Sequence, residues 1–288
     1  MSSPIILGTA TQQNLLSLQN INNQLGTTQN HLATGLAVSS ALDDAVKYFQ
    51  AQGLDNRASD LSLRKDAIDQ GISSLTAASN ATQSAVTVLQ QLQGILNSAK
   101  TDTTAQRASA ATQFDTLAQQ FNNLLNDASY QGLDLVNSSS ASLTVQFSSA
   151  SNSKLNIAGQ NLLYSKVVTA GKISKVSNAA KNLVTVGFSA VSNKTSLFDN
   201  AFNALQTAIG KVQAAAQTIG GNVTFLQTRL DFTSQYIVTL QGGASKLTVA
   251  DVNLESTNLV TLQTRQSLAI QSLSIATQSE QAVLRLFR

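Results

Sequence analysis

An unbroken spacing of three and four residues between apolar side chains runs through the second half of the chain. It extends from Phe198 to Leu240, and Thr233 is its one member that is not apolar. The positions are Phe198, Phe202, Leu205, Ile209, Val212, Ala216, Ile219, Val223, Leu226, Leu230, Thr233, Ile237 and Leu240. A seven-residue repeat sustained over this length predicts a coiled-coil helix. At 1.5 Å per residue the helix would be about 65 Å long, which is too long to be buried within one compact globule.

Two stretches upstream share this spacing and predict further long helices. One runs from about Asp43 to Ala99, and Ser40 followed by Asp43 resembles a capping box that would start it. The other lies between Phe114 and Ala128. The chain has one proline, Pro4, so the strongest helix breaker is absent from nearly its whole length. Together these patterns predict a mainly α-helical fold, an elongated helical bundle with coiled-coil packing.

Both ends of the chain carry amphipathic helical patterns with very few charges. The polar positions between Asn14 and Leu25 are Asn, Gln and Ser, and no Asp, Glu, Lys or Arg precedes Asp43. The C-terminal pattern runs from Leu259 to Phe287 and includes few charged residues. Such helices need a partner surface, because helical stability comes mainly from packing of the apolar face.

The middle of the chain alternates apolar and polar residues instead. Leu143, Val145 and Phe147 alternate as in a half-buried strand, and the alternation returns at 155–157 after the turn-like SSASNSK. We therefore predict a β-hairpin. Residues 135–198 contain six Lys and no acidic residue, so this segment is +6 in a chain whose net charge is +3. The lysines lack interleaved Arg and aromatic residues, which favours an exposed basic surface over a nucleic-acid site.

The composition argues against catalytic and metal sites. Without Cys there are no disulfides, thiolate ligands or Cys nucleophiles. The one histidine, His31, adjoins Leu32 in the N-terminal pattern, and a structural role is the better interpretation. Asp43 and Asp44 are interpreted as helix-start electrostatics, and the i, i+4 pair of Asp251 and Glu255 as a capped helix start or solvated face. We expect no enzyme activity, no cofactor and no metal.

Neither a membrane nor a nucleic acid is an expected partner. No window of 18 apolar residues occurs, so no membrane-spanning segment is predicted. The start MSSPIILG has a short apolar run and no basic region, so no signal peptide of the general secretory route is expected. The net charge of +3 is too small to imply nucleic-acid binding.

Several of these stretches resemble the signatures of bacterial flagellins. LATGLAVSSALDDA at 32–45 is similar to the family's Leu-Ser-Ser-Gly-Leu…Asp-Asp-Ala signature, and DQGIS at 69–73 resembles Asn-Asp-Gly-Ile-Ser. FNNLLNDASYQGLDLV resembles the region that closes the family's N-terminal helical part. IGGNVTFLQTRLDF, ADVNLESTNL and the ending AVLRLFR match the C-terminal signature. The chain departs from the family in having Ala37 where a basic residue is usual, and in lacking a late proline.

The resemblance implies a structural subunit that the flagellar type III system exports and that self-assembles into the extracellular flagellar filament for swimming. Residues 1–42 and 245–288 would form a terminal coiled-coil domain in the filament core. Residues 43–136 and 196–244 would form a helical rod, and 137–195 a short, outward-facing variable region. Because the three–four patterns lie on either side of 137–195 and not within it, we also expect the middle to be dispensable for the rod, so that a short linker could replace residues 150–185. The implied partners are other copies of the chain, an export chaperone, the filament cap and the hook-junction proteins.

The resemblance also implies which residues form the assembly interface. They are Leu15, Leu18, Ile21, Leu25, Leu32, Leu259, Leu262, Leu273, Val283 and Phe287. Two other functions remain open at this point. One is a hook–filament junction protein of the same family, and the other is a coiled-coil surface adhesin that uses the basic middle of the chain.

Overall fold

The computed structural model describes residues 9–168 and 194–286 of the chain. These two ranges form six α-helices and one β-hairpin. The helices are α1 (Thr9–Thr34), α2 (Ala45–Thr101), α3 (Thr104–Asn126), α4 (Tyr164–Val167), α5 (Lys194–Thr248) and α6 (Val252–Leu286). The strands β1 (Ser142–Gln146) and β2 (Lys154–Ala158) pair antiparallel, with Thr144 opposite Asn156. The predicted mainly α-helical class with a small hairpin in the middle is confirmed.

The long helix α5 confirms the helix predicted from the seven-residue repeat and extends beyond it at both ends. It continues without interruption through Gly220 and Gly221. Thr233 is buried in its seam, and its hydroxyl donates to the carbonyl of Arg229 at 2.8 Å, so this polar side chain needs no partner on another helix. Phe202 deviates from the prediction, because it is exposed while Ala201 is buried. A straight helix of 3.6 residues per turn drifts away from a strict seven-residue repeat, which accounts for the change of position.

The helix α2 begins later than the pattern of Ser40 and Asp43 predicted. The Asp43 carboxylate accepts the backbone N–H groups of Ser39 and Ser40, both at 2.9 Å, and closes a turn that precedes the helix. The N-cap is Asp44, whose Oδ1 accepts the N–H of Lys47 at 3.0 Å. Backbone hydrogen bonds, from Ser40 to Asp43 and from Lys47 to Asp44, lower the pKa of each carboxyl. The predicted role of both aspartates at the helix start is therefore confirmed, although the capping residue is Asp44.

The chain divides into two compact units. The first unit comprises Met1–Ala58 and Val238–Arg288, and the second comprises Ser59–Ile237. In the first unit α1 packs along α6. The linkers next to these helices are also paired, because Ala37 N–H donates to the Thr248 carbonyl at 2.7 Å and Ala250 N–H donates to the Gly35 carbonyl at 2.9 Å. Gly35 has a φ of +72°, the left-handed conformation that commonly ends a helix.

The second unit contains the larger hydrophobic core, and the middle of the chain belongs to it. Its helical part is contributed by α2, α3 and α5 through residues such as Ile68, Leu75, Leu89, Leu92, Phe121, Leu125, Leu205 and Leu226. The segment 142–168 contributes seven buried residues, here called the middle core residues: Val145, Phe147, Ile157, Leu162, Tyr164, Val167 and Val168. The expectation that the whole middle region is separate from the helical folding unit is therefore wrong for 142–168. The alternation of apolar and polar residues in this segment predicted the hairpin, but it did not indicate which helices the hairpin packs against.

Candidate assembly interface

The predicted interface residues lie in two helices that pack on each other within one chain. Among the side chains that the structure describes, Leu262 is buried and Leu15 is exposed. The half-buried members are Leu18, Ile21, Leu25, Leu32, Leu259 and Leu273. Val283 lies in α6, where its side chain is outside the described set, and Phe287 lies outside the described residues. The two patterns thus mark a seam in which each end helix has the other end of the same chain as its partner.

Two side-chain contacts set the antiparallel register of α1 and α6. Gln266 donates to the Asn22 side chain at 2.7 Å, and His31 Nδ1 lies 3.0 Å from Glu255 Oε1. His31 therefore has the structural role expected from its position. Asp251 caps α6, since its Oδ1 accepts the backbone N–H of Asn253 at 3.0 Å, which confirms the capped helix start. Within the described ranges no group of three His, Cys, Asp or Glu residues is placed to hold a metal ion.

Several threonine side chains of α1 and α6 form hydrogen bonds within their own helix. The hydroxyls of Thr34 on α1 and of Thr257, Thr261 and Thr264 on α6 each donate to the carbonyl four residues earlier, at 2.7 to 2.9 Å. These hydroxyls can be covered by another protein surface without losing their hydrogen bonds. Burial of such hydroxyls costs less than burial of unpaired charges, so helices with few charged side chains are suited to a protein interface.

The helix α6 has a second apolar side that the sequence analysis did not predict. Val260, Leu268 and Ile275 are separated by about two helical turns each and therefore share one side of α6, here called the outer face. All three are at least 60% exposed in the first unit. These three side chains lie between the positions of the three–four stripe of Leu259 to Phe287, so that stripe gave no signal for them. Exposed apolar faces are typical of surfaces that bind another protein.

A second exposed apolar group lies where α2 begins. Leu42, Val46 and Phe49 follow an i, i+4, i+7 spacing, which places the two helical residues on one side of the first turns. Leu42 is 97% exposed, and the other two side chains are also largely in solvent.

None of the helices in 9–168 and 194–286 is apolar enough over a sufficient length to cross a membrane.

The first part of the chain matches a known family, and relatives match nearly all of it. Residues 7–141 match the family model for the bacterial flagellin N-terminal helical region. A flagellin of Brucella melitensis is 28% identical over 276 residues, which cover 95% of each chain. Flagellin FljN of Caulobacter vibrioides is 28% identical over 282 residues, covering 95% of this chain and 96% of its own. Flagellin C of Rhizobium meliloti is 26% identical over 318 residues, covering 99% of both chains.

The fold is shared with a solved structure of low sequence identity. A protein described as a flagellar hook-associated protein from Vibrio parahaemolyticus superposes with a TM-score of 0.61. The superposition covers 72% of this chain and all of the other, at 14% identity, so the likeness concerns the fold alone. The N-terminal match and the similarity to flagellins along both chains show that this chain belongs to the bacterial flagellin family.

Proposed function

We propose that this chain is a structural subunit that self-assembles into the extracellular filament of the bacterial flagellum. The observation that carries the proposal is the outer face of α6, in a member of a family of filament-forming structural proteins. The seam between α1 and α6 joins the two ends of one chain, and the outer face remains free to contact neighbouring copies.

The composition of α1 and α6 supports burial against other subunits. Covering a leucine or isoleucine side chain stabilises an interface by about 1.5–3 kcal/mol, and the outer face offers three such aliphatic side chains per subunit. No acidic residue and no Lys or Arg precedes Asp43, so α1 adds almost no charge to desolvate. The same contacts repeat in every subunit of a helical polymer, so modest local energies accumulate along the filament.

The predicted domain arrangement remains part of this proposal. Residues 1–42 and 245–288 would lie in the filament core, which agrees with both chain ends belonging to one compact unit. Residues 43–136 and 196–244 would form the rod, which agrees with the long helices α2 and α5. Residues 137–195 would face outward, and the exposed Lys154 and Lys166 would then contribute to a basic outer surface.

Export by the flagellar type III system is the route that we propose for this subunit. The absence of Cys means that no disulfide can form before or during export. An export chaperone, the filament cap and the hook-junction proteins are the partners that we propose beside the chain itself. The rival assignment as a hook–filament junction protein rests on a likeness of fold, whereas the flagellins resemble the chain along nearly its whole sequence.

The proposal is tested by polymerisation of the purified chain. After addition of a salting-out salt, negative-stain electron microscopy should show long filaments of uniform diameter, and sedimentation should remove the protein from solution. A junction protein would give short or no assemblies under the same conditions. Binding to glycan or polyanion surfaces without filament formation would favour the adhesin instead.

A further inference from the structure

The first unit exposes two separate apolar groups on its helices. One is the outer face of α6, and the other consists of Leu42, Val46 and Phe49 where α2 begins, here called the entry group. Every side chain of the two groups is at least 60% exposed. Both groups are therefore open to a partner in the single chain.

A helical polymer needs two different surfaces on each subunit. A surface that binds its own copy closes a two-fold dimer, whereas a head-to-tail contact between unlike surfaces continues from subunit to subunit. The outer face supplies one surface of such a contact, and the entry group has the apolar character that its counterpart requires.

The entry group fits one half of the outer face. Val46 and Phe49 lie within about one turn of α2, and Leu42 belongs to the turn that precedes the helix. Val260 and Leu268 lie about 12 Å apart along α6, so an apolar group of this size covers these two positions rather than the whole outer face.

The charges beside the two groups have opposite sign. Asp43 and Asp44 flank the entry group, and backbone hydrogen bonds lower the pKa of both carboxyls, so both are negative at neutral pH. Lys47 lies 3.5 Å from Asp44 and offsets one of these charges. On α6, Arg265 is exposed three residues before Leu268, and no other charged residue lies within two turns of it. Opposite charges beside two apolar surfaces favour their association and fix its register.

The size of the contact suits a polymer better than a stable dimer. A stable pairwise interface buries about 800 Å² on each partner, with about 20–30 residues a side, which is far more than the entry group can cover. A contact this small leaves two copies largely separate in dilute solution. It becomes effective when each subunit is held by several neighbours at once, as in a helical filament.

We propose that the entry group of one subunit docks on the outer face of α6 in a second copy, against Val260 and Leu268. Phe49 is the largest side chain of the contact and its anchor, because aromatic side chains bury the most area and dominate interface energetics. This inference rests on the proposed function, since it names the surface that the outer face binds in the filament.

Exchange of charge tests whether the two groups meet. Leu268→Lys alone should raise the critical concentration for polymerisation at least about tenfold, because it places an unpaired charge under the entry group. Addition of Val46→Glu to the same chain should reverse most of this loss, since the new carboxylate faces the new ammonium of the next subunit. These signs match those of Asp43 and Arg265 beside the two sites.

The matched control carries like charges at the same two sites. Val46→Lys with Leu268→Lys should have a critical concentration at least about tenfold above that of Val46→Glu with Leu268→Lys. Sedimentation over a concentration series measures both, with growth started from native filament fragments at low salt to limit screening. Equal values for the two double variants, including no growth of either, would contradict the docking.

Cross-linking between two different chains gives an independent readout. Because the chain has no Cys, Gln50→Cys beside the entry group and Thr264→Cys between Val260 and Leu268 each supply one exposed thiol. One chain carries a heavy-isotope label, and a short bis-maleimide is added to the mixture both in filaments and in concentrated solution without added salt. Mass spectrometry should show at least about fivefold more of the mixed 50–264 product than with the control Ser274→Cys, which is exposed on another side of α6.

The products separate failure of this inference from failure of the proposed function. Mixed product without filaments would contradict the proposed function and retain the docking. Filaments with no mixed product above the control would contradict the docking alone. A predominance of 50–50 or 264–264 products would mean that each group binds its own copy, as in a closed dimer, and would also overturn the docking.

Discussion

Two glycines of α2 differ in what an added methyl group would meet. A Cβ atom at Gly71 would lie 2.8 Å from Val145 Cγ2 of the hairpin, whereas nothing lies within 4 Å of a Cβ atom at Gly94. Gly71 therefore permits the close approach of β1 to α2. The two positions share a helix and form a matched pair for testing this contact.

We predict opposite effects of alanine at these positions. Gly71→Ala should lower the free energy of unfolding by about 1 kcal/mol, since overpacking costs about 1–3 kcal/mol and the gain in helix propensity returns about 1 kcal/mol. Gly94→Ala should raise it by up to about 1 kcal/mol, because only the propensity changes. Urea unfolding followed by circular dichroism measures both. Equal stabilisation in the two variants would mean that Val145 of β1 does not restrict the space for a side chain at position 71 of α2.

Arg107 joins the end of α2 to the start of α3. Its Nε donates to the carbonyl of Ala99 at 2.9 Å and its Nη2 to the carbonyl of Lys100 at 3.2 Å, and the side chain is buried. The guanidinium thus satisfies two carbonyls that have no partner within the helix and places a positive charge at the negative end of its dipole.

Loss of this side chain should be costly. We expect Arg107→Ala to lower the free energy of unfolding by about 2–4 kcal/mol, because two carbonyls are left without their donor. Lys100→Ala is the control, since it breaks an exposed ion pair with Asp199 at 2.7 Å and should cost less than about 1 kcal/mol. Thermal unfolding of the two variants under identical conditions gives the comparison, and a loss of similar size in both would refute the capping role.

At the scale of the helix, α6 presents two apolar sides with different partners. Leu262 faces the seam and is 8% exposed, whereas Leu268 lies on the outer face and is 60% exposed. Leu262→Asp replaces an apolar side chain that is buried against α1. Leu268→Asp leaves the packing within one chain intact and places a charge where a neighbouring subunit is proposed to bind.

We predict that the two substitutions fail at different stages. Leu262→Asp should weaken the packing of α1 on α6 in the monomer. Because the chain has no Cys, spin labels on Ser17→Cys and Ser272→Cys, two exposed positions of these helices, should then show a smaller fraction of chains at the short distance of the paired helices. Leu268→Asp should leave that fraction unchanged and abolish filament growth, because an unpaired buried carboxylate costs several kcal/mol in every subunit. If Leu268→Asp forms filaments at the critical concentration of the native chain, the outer face is not part of the subunit interface.

The helices α5 and α6 illustrate what the sequence could predict. The spacing of apolar residues along one helix is a local property of the sequence. It therefore predicted α5 and the buried side of α6 without information on the elements that pack against them. Whether an apolar side is covered depends on what lies opposite, which explains why the outer face was missed. The contact between Gly71 and Val145 joins residues far apart in the chain, and neither the glycine nor the alternating strand carries a local signal for it.

At the scale of the whole molecule, the middle of the chain is part of the second unit rather than an appendage to it. The seven middle core residues share one hydrophobic cluster with α2, α3 and α5. Each buried aliphatic or aromatic side chain contributes about 1.5–3 kcal/mol, so their combined contribution is comparable with the 5–15 kcal/mol stability of a typical domain. The segment 142–168 should therefore be indispensable for folding.

We predict that two replacements by Gly-Ser linkers of equal length will behave differently. Replacing 142–168 should remove the cooperative unfolding transition and prevent filament growth, because the cluster loses all seven middle core residues at once. Replacing 172–190 removes none of the described core residues, so helicity, cooperative unfolding and filament growth should persist. Circular dichroism during thermal unfolding and electron microscopy of the salted-out protein measure these outcomes. If the 142–168 replacement unfolds as cooperatively as the native chain, the helices alone form the folding unit and the hairpin is not required for folding.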